Sequence, residues 1–118
     1  MKPLEGITVI ELSTMITASL AAMIMAEQGA RVIKVEPIDE GDPMRYLGSS
    51  KGGIGALFAN CNRGKQSIRV DLKNEAGKAI VRDLAKTADV LLCNFRPGVM
   101  DSLELGSESL RALNARLV

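Results

Sequence analysis

The chain has 118 residues, 47% of them apolar and 25% charged, which is the size and balance of one globular domain able to bury a core. A formal charge of +1 provides no long-range attraction to nucleic acid or to an anionic membrane, so any anion binding has to come from a local cluster. Histidine is absent, and Cys61 and Cys93 stand far apart, which removes the commonest metal ligand, the commonest proton shuttle near neutral pH and any CxxC site. The two thiols read as buried or incidental.

In chain order, residues 6–12 (GITVIEL) predict a short β-branched strand, and residues 17–30 (TASLAAMIMAEQGA) a helix stopped by Gly29 in the left-handed cap position. Residues 31–36 (RVIKVE) predict a second strand. Strand, helix and strand in about thirty residues make a βαβ unit with parallel strands and a right-handed crossover. The helix is apolar nearly all round, so it is expected to be covered on more than one side. Its least polar run, residues 15–26, is too short for the ~20 residues that cross a bilayer, and Glu5 and Glu11 precede it where a signal peptide carries basic residues. The chain therefore reads as cytoplasmic, with neither membrane nor nucleic acid as partner.

Residues 37–65 break the pattern with Gly, Pro, Asp and Ser, and only IGALFA within them has helical character. A strand is expected at 67–72 (SIRVDL), a helix at 74–88 with Asn74 as its N-cap, a buried strand at 89–95 (DVLLCNF), a turn at RPG and a capped helix at 107–114. The closing ARLV reads as a strand barely begun, which suggests part of a larger protein.

The βαβ opening invites a dinucleotide, with Glu36 where such folds place the ribose-binding acid. The glycines it needs are missing: STMITAS stands where GxGxxG belongs. NRGKQS lacks the first glycine and the Ser or Thr of a phosphate-binding P-loop. Asp42, Asp71, Asp89 and Asp101 are single carboxylates suited to turns and caps, and no serine sits in a GxSxG elbow.

What stands out is NRGKQSIRVDLK, residues 62–73, with Arg63, Lys65, Arg69 and Lys73 against one acid, Asp71. In a strand, Ser67 and Arg69 share one face, and Ile68 and Val70 the other. Lys73 precedes a helix N-terminus, and Asn94, Phe95 and Arg96 fall at the equivalent end of the last strand, where open α/β sheets bind ligands. On the residues alone, two readings stay open. These are ordinary solvated charges, or they serve a phosphorylated ligand with Phe95 or Val70 against a flat ring.

Taken together, PLEGITVIELS, AEQGARVIKVEP, GD, NRGKQSIRVDLK, ADVLLCNFRPG and LELGSESLRALNARLV resemble, in order and spacing, the start of the class III CoA-transferases. These include formyl-CoA and carnitine CoA-transferases, and α-methylacyl-CoA racemase belongs with them. The resemblance covers essentially the whole chain. It implies residues 1–118 as the N-terminal portion of a Rossmann-like large domain, a parallel sheet with flanking helices, in a homodimer of interlocked rings. It also implies an aspartate that attacks an acyl-CoA thioester, forms a mixed anhydride and passes CoA to a carboxylic acid acceptor. CoA is then substrate, not a resident cofactor.

By position, Lys73, Val70, Asn94 and Phe95 match residues that contact CoA, and the loop around Thr14 to Thr17, with Met15, matches the one near the thioester. Arg63 and Lys65 of NRGK are placed near the phosphates. The resemblance puts the catalytic aspartate beyond residue 118, leaving no catalytic residue and no metal ligand here. Where many members have an AGP-like segment, this chain has TAS at 17–19. NRGK with NFRPG favours the transferases over the racemase branch. A non-catalytic CoA-binding or interaction module is the alternative from another class.

Overall fold

A computed structural model describes residues 1–118. Along the chain run β1 (Thr8–Leu12), α1 (Thr17–Glu27), β2 (Arg31–Pro37), a 3-10 turn (Pro43–Tyr46), two-residue strands β3 (Ser50–Lys51) and β4 (Ile54–Gly55), and α2 (Ala56–Cys61). Then come β5 (Gln66–Val70), α3 (Glu75–Thr87), β6 (Val90–Cys93), α4 (Val99–Ser102) and α5 (Ser107–Leu113). The fold is α/β. Four strands form a parallel sheet in the order β5-β2-β1-β6, and β3 and β4 pair antiparallel in a separate hairpin.

Register decides what each face carries. Ile10 pairs with Ile33 and Leu91, and Val35 pairs with Ile68, so these side chains share one face. There they pack with Val81, Ala85 and Ala88 from α3 and its end, and with Leu110 of α5, in the main core. The opposite face is split along its length. Val9 and Val32, near the start of their strands, pack with Ala22 and Ala30 around α1. Two residues further on, Glu11 pairs in register with Lys34, and Glu36 follows. That half of the face is ionic and buried.

The helices follow their sequence signals. Gly29 ends α1 at φ +105, the left-handed conformation that glycine adopts without cost. Asn74 caps α3, its side chain accepting from the Ala76 N–H at 2.9 Å. Gly77 lets α3 sit close against the turn after β5. A Cβ there would clash with the Asp71 carbonyl oxygen. Gly77→Ala is therefore expected to destabilise the chain by about 1–3 kcal/mol through overpacking, despite alanine's better helix propensity. A raised Tm in thermal unfolding would contradict this.

Several boundaries differ from expectation. The strand expected at 67–72 ends at Val70, and the one at 89–95 ends at Cys93, because Asp71 and Asn94 turn their side chains back to bond local or neighbouring backbone. Residues 37–65 hold a 3-10 turn, a hairpin and a helix, with Ile54 and Gly55 in β4 so that the helix starts at Ala56. In the closing ARLV, Val118 donates to the Asp89 carbonyl at 3.1 Å and accepts from the Leu91 N–H at 2.9 Å, as across a parallel pair. α1 buries Ala18, Ser19, Ala22 and Met23, whereas Ile16 just before it and Leu20 and Ile24 on it, at four-residue spacing, are 42%, 40% and 45% exposed. No helix is long and apolar enough to cross a membrane.

Candidate functional site

In this strand order the chain leaves β1 through α1 toward β2 and later returns to pair β6 on β1's other side. The crevice above the C-terminal ends of β1 and β6 is the position where open α/β sheets receive ligands. The backbone that lines it is residues 13–16, and side chains from two directions hold it. The Asn94 carboxamide, just past β6, accepts from the Thr14 N–H at 3.1 Å and donates to the Thr14 carbonyl at 2.7 Å. Met15 then takes φ 65, a left-handed conformation uncommon for a residue with a long side chain. Its N–H donates to Asp42 Oδ1 at 3.2 Å.

Beneath the loop lies the ionic half of the sheet face. Lys34 Nζ stands 2.8 Å from Glu11 Oε1, 2.9 Å from Asp42 Oδ2 and 3.1 Å from the Ser19 hydroxyl. Lys65 Nζ reaches in to Glu11 Oε2 at 2.7 Å, to the Ser19 carbonyl at 2.8 Å and to Asn62 Oδ1 at 2.8 Å. Two carboxylates and two ammonium groups thus balance in a space without solvent, where an unpaired charge would be costly. Burial pushes the Lys65 ammonium's pKa down, and Glu11 opposes that shift.

Glu36 anchors the adjoining turn. It accepts from Arg45 Nε at 2.8 Å and Nη2 at 2.6 Å, from the Asp42 N–H at 2.7 Å and from the Ser67 hydroxyl. Burial raises its pKa, but the bonds from Arg45, Ser67 and the Asp42 N–H outweigh burial and bring it to about 2. Arg45 in turn lies 3.9 Å over the Phe58 ring. With every oxygen of Glu36 engaged, it has no capacity left for a ribose.

Residues 4–118 match the family described as CoA-transferase family III. The chain belongs to that family. It is 41% identical over 116 residues to acetyl-CoA:oxalate CoA-transferase of Acetobacter aceti, covering 98% of this chain and 30% of that one. It is 40% identical over 115 residues to human α-methylacyl-CoA racemase, covering 98% and 26%. The crystal structure of the hypothetical protein Rv3272 from Mycobacterium tuberculosis superposes with a TM-score of 0.92 at 40% identity, covering all of this chain and 32% of that one. The chain therefore spans less than a third of the length of these curated relatives.

Within this family III chain, the residues singled out from the sequence separate into two groups. Val70, Lys73, Asn94, Phe95 and Met15 all lie at or just beyond the C-terminal ends of β5, β6 and β1. Lys73 is exposed, its backbone N–H donating to Asp71 Oδ1 at 2.9 Å, while Val70 is buried in the core and Phe95 packs against it. Arg63 and Lys65 precede β5 and so stand at its other end. A five-residue strand spans about 17 Å, so the cations of NRGKQSIRVDLK do not converge on one point. Arg63 is paired with Glu27, at the far end of α1 from the Met15 loop, at 2.8 Å and also bonds Asn60. Lys65 spends its donors on Glu11, Ser19 and Asn62 and is only 2% exposed. Arg69 is exposed and bonds the Asp39 carbonyl.

Sequence reasoning missed Glu11 and Lys34, and it gave Asp42 only the turn-capping role that its bond from the Met44 N–H bears out. For Glu11 and Lys34 the signal was present: charges alternate with apolar residues in VIE and IKVE, at the period of a strand face.

Proposed function

We propose that this chain supplies part of the CoA site of an acyl-CoA:carboxylate CoA-transferase, with the attacking aspartate contributed from outside residues 1–118. Family membership together with the constrained Met15 loop at the switch point carries this reading. CoA lies along the C-terminal edge of the sheet as substrate. Lys73 faces its phosphates, Val70 and Phe95 back the adenine end, and Asn94 and Met15 border the thioester. Lys65, turned inward, acts from beneath by holding the ionic layer, and Arg63 is left to the phosphates only through exchange of its Glu27 partner.

The lack of a nucleophile here has a physical reason. The carboxylates that β1, β2 and the following turn bring to this end of the sheet, Glu11, Asp42 and Glu36, are buried and paired with cations. Buried beneath the loop and ion-paired, none of them is presented to a thioester carbonyl. The acceptor is a carboxylic acid, and the whole enzyme is a homodimer. A racemase-type member of the family is the second reading, favoured by an identity to the human racemase close to that with the oxalate transferase.

Calorimetric titration of CoA into the chain tests the proposal. Saturable binding that weakens with salt is expected, and Lys73→Ala should reduce it by about 1.5–3 kcal/mol, the worth of a charge-assisted contact. Unchanged affinity in that variant would remove Lys73 from the site.

A further inference from the structure

We infer that Asp42 is a positioning residue of the CoA site, holding Met15 in its left-handed conformation and so setting the shape of the loop at the switch point. The inference rests on the CoA reading above. Asp42 is fully buried, and each of its polar atoms is committed. Oδ1 accepts from the Met15 N–H at 3.2 Å and from the Met44 N–H at 2.9 Å. Oδ2 faces Lys34 Nζ at 2.9 Å, and the Asp42 N–H donates to Glu36 Oε1 at 2.7 Å. Lys34 is fixed by Glu11 and Ser19, and Glu36 by Arg45 and Ser67.

A carboxylate held from three sides can impose a conformation that the backbone would not choose. Met15 is such a residue, since a side chain at φ 65 persists only where its surroundings over-determine it. Asn94 fixes Thr14 but makes no bond to Met15, so the strained residue depends on Asp42 alone for its N–H. With that N–H drawn inward, Met15 and Ile16 remain at the surface, 39% and 42% exposed. The buried ion layer is thereby linked to the position of two surface residues beside the proposed thioester.

Two double variants separate positioning from charge balance. Lys34→Met with Asp42→Asn, and Lys34→Met with Asp42→Leu, each remove one buried cation and one buried anion. Only the asparagine keeps an oxygen for the Met15 N–H. Amide hydrogen exchange at Met15 and CoA affinity are measured for both and for the unaltered chain. In the unaltered chain the Met15 amide should exchange about tenfold more slowly than that of Ile16, which has no acceptor. The leucine variant should lose that protection and bind CoA about tenfold more weakly than the asparagine variant.

Equal CoA affinity in the two variants would overturn the positioning role. So would a Met15 amide in the unaltered chain that exchanges as fast as that of Ile16, a result obtainable whether or not the variants fold. If the unaltered chain binds no CoA while Met15 is protected as expected, the CoA reading fails and the hold of Asp42 on Met15 stands.

Discussion

Replacing Lys34 alone with methionine is expected to destabilise the chain by about 3–5 kcal/mol, the cost of leaving a buried carboxylate without its cation. Glu11 would keep Lys65, 2.7 Å away, but the Asp42 carboxylate would face an apolar side chain with no other cation on Oδ2. Against a typical total of about 5–15 kcal/mol, the loss is enough to unfold much of the population. Urea denaturation followed by circular dichroism measures it. Combining Lys34→Met with Asp42→Asn should recover a large part, because the charges then leave together. A single variant within about 1 kcal/mol of the parent would mean that water or another group reaches Asp42, and the layer is not sealed.

Acid should weaken the fold through Glu36. Its pKa falls from 4.5 to about 2 in the folded chain, so the folded state holds the carboxylate more strongly ionised than the unfolded state does. That contribution is present in full above the unfolded value and is lost as pH falls from about 4.5 toward 2. A shift of this size is worth roughly 3 kcal/mol when complete. Stability measured at a series of pH values between neutral and acid should show this decline, and Glu36→Gln should flatten it. The variant carries its own cost, since Arg45 loses its anionic partner at every pH. A Glu36→Gln chain with the same acid slope as the parent would assign the decline to other carboxylates.

The strand–helix–strand opening was legible because VIEL and RVIKVE are short β-branched runs around a helix ended by Gly29. The faces of β5 were legible for the same reason of period two. What was not legible was how side chains from distant loops meet. Asp42 lies in a turn that reads as irregular, and its partners Met15 and Lys34 are brought to it only by the crossover. The basic run misled in a related way. Proximity in sequence puts Arg63 and Lys73 together, but an intervening extended strand carries them to opposite ends of the sheet. By resemblance Lys65 falls near the CoA phosphates, whereas the acid that neutralises it, Glu11, sits 54 positions earlier on β1 and draws it inward. Charge runs are one-dimensional, and burial is decided by pairs that the fold assembles.

The most direct measurement is an amide chemical-shift map of the chain on addition of CoA. Binding along the C-terminal edge of the sheet predicts the largest changes at Met15, Lys73, Asn94 and Phe95, with little at Arg63 or at Leu110 and Leu117 in the hollow beside β6. Changes centred on Arg63, or on that hollow, with the Met15 loop silent, would contradict the account.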